Sequence, residues 1–226
     1  MLCFVFFVGL MSTATAQYKL VKANVAGVAV RSFGLAFEKV RDRQYSWQIS
    51  ASYVLPSEAQ NPFLKPVLEH RQFDSGNISG YSGTIEYRFY TYRAKSEATK
   101  PYIAFFGRYY AIDGKLNFSD EESDYAMKGN MTTMTLGLQF GAQWVFKNKW
   151  IVDATIVGIG YSRSQLRGTL TTSNEDPNIG LLEDDFSAIP VLGSRFRFSG
   201  LDGDYSFDRD FGTMGIRMAI YVGMLL

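Results

Sequence analysis

One cysteine and one histidine are all that 226 residues offer to thiol and imidazole chemistry. Cys3 lies inside an early apolar run, so the chain beyond residue 16 is cysteine-free. That excludes structural disulfides, thiol catalysis and cysteine metal sites from it. No later stretch approaches the roughly 18 to 20 apolar residues of a membrane helix. If this chain spans a membrane, it does so as strands. Charge of one sign is lacking too: a net +1 gives no reason to expect nucleic acid as a partner. There is no Gly-rich phosphate loop, HExxH motif or nucleophile elbow, and no cofactor is expected.

What the chain does have is aromatic residues, 14 Tyr and 18 Phe, in long alternating segments. Residues 129–161 carry the clearest pattern. Met134, Leu136, Leu138, Phe140, Ala142, Trp144 and Phe146 share one parity, while Thr133, Thr135, Gly137, Gln139, Gly141 and Gln143 take the other. A strict period of two over that length is a β-strand with one apolar and one polar face. After Lys147-Asn148-Lys149 a second arm begins, with Trp150, Val152, Ala154 and Ile156 opposite Asp153 and Thr155. Val157 and Ile159 then blur its pattern. The polar face carries Gln, Thr and Gly, as a narrow interior requires, rather than the Lys and Glu of a solvated face. Both arms exceed the usual five or six residues of a strand. Trp144 and Trp150 bracket the turn on the apolar faces, where rings sit at a membrane–water interface.

The same reading predicts strands at Leu20–Val30, Phe33–Val40, Tyr45–Leu55, Gly80–Tyr92, Lys100–Ile112 and Phe211–Leu226. Tyr45, Trp47, Ile49, Ala51, Tyr53 and Leu55 alternate with Ser46, Gln48, Ser50 and Ser52 without a break. Long loops are predicted at Pro56–Ser79, Asp113–Lys128 and Ser162–Asp210. The count is about eight strands, with short connections after the second, fourth and sixth and long ones after the third, fifth and seventh. This asymmetry fits short periplasmic turns and long external loops. The expected fold is all-β: a closed antiparallel transmembrane β-barrel, since open sheet edges cannot face hydrocarbon. Met1 to Ala16 reads as a secretory signal, an apolar run ending in the A-x-A site Ala14-Thr15-Ala16. The barrel domain then covers residues 17–226.

The chain resembles the small outer-membrane β-barrel proteins of Bacteroidetes-type bacteria. The resemblance rests on NVAGVAVRSFGLAFEKV, on IEYRFYTYR followed by KPYIAFFGRYY, and on GLQFGAQWVFKNKWIVDATIVGIGY. It implies architecture and an outer-membrane location, and no particular activity. The chain departs from the pattern at Met224-Leu225-Leu226, where such barrels often end in an aromatic residue.

Strand parity collects Glu38, Glu86, Arg88, Arg108, Asp153 and Arg217 on the inward face, with Lys22 as a further candidate. An eight-stranded barrel is just wide enough for side chains to fill, so these charges are expected to pair into a plug. Trp47, Trp144 and Trp150 are expected in the membrane-facing belt, with Phe140 and Ile220. Outer-membrane lipid and lipopolysaccharide are the expected partners, with the barrel-assembly machinery during biogenesis, and the expected state is a monomer. Catalytic and metal residues are not expected. Three other readings compete. A lipid-modifying enzyme at the rim would draw on His70 with Ser75 and Asp74. A soluble lipocalin-like binder would turn its apolar faces inward. A small pore would leave the lumen open. Acidic clusters lie at Asp120-Glu121-Glu122 with Asp124, at Glu183-Asp184-Asp185, and at Asp202, Asp204, Asp208 and Asp210; the last has close-spaced carboxylates but lacks the ligand pattern of an EF-hand loop.

Overall fold

Alternating apolar and polar residues can satisfy two environments only if the backbone stays extended and pairs on both sides. The computed structural model describes residues 18–42, 44–58, 72–91, 99–119, 123–147, 149–173, 180, 183–184, 197–201 and 203–226. The predicted signal segment 1–16 and His70 fall outside them. Nine strands follow in order: β1 (Tyr18–Asn24), β2 (Ser32–Asp42), β3 (Tyr45–Glu58), β4 (Gln72–Tyr90), β5 (Thr99–Ser119), β6 (Asp124–Phe146), β7 (Trp150–Thr172), β8 (Ser199–Leu201) and β9 (Asp204–Leu225). Each pairs antiparallel with its neighbour in the order β1-β2-β3-β4-β5-β6-β7-β9-β8, and β1 also pairs with β9. Eight strands therefore form a closed ring of hydrogen bonds. β8 is a three-residue addition to β9 at one rim.

The predicted first strand stops early. Asn24 ends it by accepting a hydrogen bond from the Gly27 backbone N–H through Oδ1 at 3.1 Å. Residues Ala26–Val30 then form a 3-10 turn that closes on Arg31 at φ 51°. Local side-chain bonding of this kind competes with the ladder, which is why Asn so often ends an element.

The ambiguous parity of the 150–161 arm also has a local cause. Phe140 pairs with Val157 and Gly141 with Thr155, so a β-bulge sits at Ile156–Val157. The extra residue flips the alternation. Asp153 and Thr155 point inward below it, and Gly158, Gly160 and Ser162 point inward above it. Gly141 has a second reason to lack a side chain, because a Cβ there would stand 2.4 Å from the Tyr102 hydroxyl.

Part of each predicted long loop is strand. β4 takes residues 72–79, β5 and β6 take 113–119 and 124–128, and β7 and β9 extend to 172 and from 204. β6 and β7 each run 23 residues. These extensions read as loop because their outward residues are polar: Asp113, Lys115 and Asn117 on β5, Asp124, Lys128 and Asn130 on β6. Several of their inward residues are large and apolar. Phe118, Tyr125, Leu170 and Phe207 form a buried cluster, with Phe118 stacked on Tyr125 at 5.0 Å. The short-turn end holds a second inward cluster of Leu20, Val40 and Ile151.

Leu170, fully buried, is expected to hold the extensions together. Leu170→Ala should cost about 2–5 kcal/mol locally. Hydrogen exchange checks this: amides in 113–119, 124–128 and 162–172 should exchange faster, while those of 134–146 keep their protection. Unchanged protection in the extensions would contradict the packing.

Candidate functional site

Between the two apolar clusters the ring interior is charged. Lys22 on β1 donates to Glu38 on β2, to Asp153 on β7, and to Gln48 Oε1 at 2.8 Å. Arg88 on β4 reaches Asp153 Oδ2 through Nη1 at 2.5 Å and Glu86 Oε2 through Nη2 at 2.6 Å. Arg217 on β9 donates to Glu86 Oε1 at 2.7 Å and to Gln139 Oε1. Gln139 in turn donates to Glu86 Oε2 at 2.8 Å, and Gln143 to Glu38 Oε2 at 3.1 Å. Ser46 and Tyr90 both donate to the remaining oxygen of Glu38. Tyr102 donates to Asp153 Oδ1 at 2.9 Å, and its ring lies 4.3 Å from the Arg88 guanidinium.

Every strand of the ring supplies a member. Lys22, Arg88 and Arg217 face Glu38, Glu86 and Asp153, so the cluster is formally neutral. Five of these six side chains are fully shielded from solvent, and Arg217 is 8% exposed. The strand spacing explains why: on an eight-membered ring, inward side chains from opposite walls meet across the centre. The inward residues predicted from parity thus come together, Lys22 included. Arg108 does not join them. Its Nη2 lies 3.5 Å from Ser82 Oγ and its Nε has no partner among the described residues.

The outer face is the opposite. Leu136 is 72% and Ile216 79% exposed, in a continuous band with Phe33, Leu35, Ile85, Phe105, Met134, Leu138, Phe140 and Ile220. Trp47, Trp144 and Trp150 lie at its short-turn edge, with Trp47 packed 4.5 Å from Tyr87. Parity reading missed the other edge: outward Tyr53, Tyr81, Tyr109 and Tyr161 form a second aromatic row, Tyr81 and Tyr109 lying 6.3 Å apart. Each tyrosine is visible in the alternation, but their common level appears only with the strand register. From Trp144 to Met134 the strand rises about 34 Å at ~3.4 Å per residue. Tilted by about 40°, that is about 26 Å along the ring axis, against ~25 Å for the apolar band of an outer-membrane barrel.

The close-spaced acids of β9 sit above this band; Asp204 accepts from Thr171 Oγ1 at 3.1 Å, and the other two face cations. Arg167 Nε donates to Asp208 at 2.9 Å, and Arg163 lies 3.6 Å from Asp210. Among the described residues no group of three or more His, Cys, Asp or Glu is placed to hold a metal. Of the rim set, His70 is outside the described residues and Ser75 accepts from Asn117 Nδ2 at 2.9 Å. The side chain of Asp74 is likewise outside them.

Breaking the interior network should be far costlier than breaking the rim pairs. Arg88→Met takes one of two cations from each of Glu86 and Asp153, leaves the buried cluster with an uncompensated negative charge, and is expected to destabilise by about 3–5 kcal/mol. Asp208→Asn, at an exposed pair, is expected to change stability by less than about 1 kcal/mol. Thermal unfolding of the two variants side by side checks the contrast.

No curated protein matches this chain. Among solved structures, a major outer membrane protein from Thermus thermophilus is similar at 9% identity, covering 94% of this chain and 100% of that one, with a TM-score of 0.46. A family defined only as "Protein of unknown function (DUF3575)" matches residues 2–173, most of the sequence, and the chain belongs to it.

Proposed function

We propose that this chain is a sealed eight-stranded β-barrel of a Gram-negative outer membrane, with a structural or surface-interaction role rather than a catalytic one. The observation that carries the reading is the inverted polarity of the ring. Large apolar side chains cover its outer face between two aromatic rows, and the charges lie inside. In water such a band would far exceed the few hundred Å² of contiguous apolar patch usual on a monomer. In a bilayer it meets hydrocarbon, and the closed ladder leaves no open sheet edge there. A lipocalin-like binder needs the reverse arrangement.

The interior supports a sealed lumen. A neutral network contributed by every strand blocks the path between the two ends, so no conductance is expected. Lipid and lipopolysaccharide would contact the band and the polar extensions above it, after insertion by the assembly machinery, as a monomer.

Gel mobility of the membrane-extracted protein, unboiled against boiled, tests the barrel. A heat-dependent shift in the outer-membrane fraction is expected, together with silence in planar bilayers. A soluble periplasmic protein with unchanged mobility would overturn the reading. Leu138→Arg, near mid-band, should cost about 2–4 kcal/mol of insertion stability and reduce the heat-shifting species.

A further inference from the structure

Above the ion network the ring encloses a cavity of about 340 Å³. One water needs only about 10–15 Å³, so this space is far larger than a single solvent site. Its wall holds no carboxylate among the described residues. Ser50, Ser52, Ser82, Thr84 and Tyr110 offer hydroxyls, and Arg108 and Arg217 offer guanidinium groups.

The two arginines differ in their commitments. Arg217 is neutralised by Glu86 and held by Gln139 at the cavity floor. Arg108 is the cation left over once the three acids have been matched by Lys22, Arg88 and Arg217. Among the described residues it is held only by a 3.5 Å approach to Ser82 and by the Tyr110 ring 5.2 Å from its Cζ. Arg108 is half-buried, and a cation withdrawn from water without a counter-charge is unfavourable. The cavity supplies room for that counter-charge and donors to orient it.

We propose that this cavity binds a small oxyanion, a phosphate or carboxylate group, through Arg108 and the hydroxyls of Ser82 and Thr84. A guanidinium meets such a group with two parallel N–H donors, and a hydroxyl satisfies a further oxygen. Asn24 and Gly27 line the cavity towards the long-connection end, which is where the anion enters. The site depends on the interior geometry alone and stands whether the ring lies in a membrane or in solution. The group arrives either as a free anion or at the head of a lipid.

Calorimetric titration of the detergent-solubilised full chain with sodium phosphate, at constant ionic strength, tests the free anion. Thermal unfolding in vesicles with and without phosphatidylglycerol tests the headgroup. One phosphate per chain, with affinity falling about tenfold or more in Arg108→Gln and partly retained in Arg108→Lys, is the expected result. Stabilisation by phosphatidylglycerol alone, lost in Arg108→Gln, would also support the site and name the lipid as its source. Arg108→Gln should fold, and should unfold at a higher temperature than the parent in anion-free detergent, because it removes an unpaired, half-buried cation. No response to either ligand, or an equal response in Arg108→Gln, would overturn the proposal.

Discussion

At the seam between β1 and β9, Leu20 pairs with Leu225 and Asn24 with Tyr221, and the ring of backbone hydrogen bonds closes there. The same seam admits Lys22 to the interior. Its partner across the ladder is Gly223, where a Cβ would stand 2.7 Å from the Lys22 side chain and 2.3 Å from the Val21 carbonyl oxygen. Closure and charge burial are therefore one constraint. Without the seam, β1 and β9 would present unpaired edges, and Glu38 and Asp153 would lose Lys22, one of the two cations that lie between them. A closed ring is the arrangement in which strands can keep every amide paired while the outer face is apolar.

Polarity along each long strand follows from where that ring meets its surroundings. Within the band, the outward side chains are apolar and the inward ones mostly charged, amide, hydroxylic or small, with Phe106 among them. Above it the order reverses, with Lys115, Lys128 and Asp208 outward and Phe118, Leu170 and Phe207 inward. The upper strands pack on themselves as a soluble sheet does. The interior is thus layered, with apolar ends, a neutral ionic plug and a polar cavity between plug and upper cluster. Ion pairs of this kind are poor sources of net stability, because desolvation offsets the Coulomb gain. Here they occupy the ring interior and join side chains from strands far apart in sequence.

Much of this was legible in the alternation. The arms around Trp144 and the run from Tyr45 to Leu55 read as two-faced strands because one environment covers their whole length. The inward charges were legible for the same reason. Three things were not. The bulge at Ile156–Val157 changes parity without a composition signal. The strand extensions carry polar outward residues and, at Gly114, Gly129 and Gly168, no side chain at all, so their period is faint. The pairing partners were also hidden, since Lys22 and Asp153 are 131 positions apart and meet only through closure. Arg108 has the same parity as the plug residues, and only its level on β5 separates it from them.

Whether the apolar outer face meets lipid is best measured by spin-label accessibility in reconstituted bilayers. Single cysteines at Leu138, Ile216, Lys115 and Asp208, in a Cys3→Ser background, all lie on the outward face. The account requires labels at Leu138 and Ile216 to collide with oxygen and to be shielded from a water-soluble nickel complex. Labels at Lys115 and Asp208 should show the reverse. Ready collision of the nickel complex with Leu138 and Ile216 would contradict a lipid-facing band, and with it the outer-membrane reading.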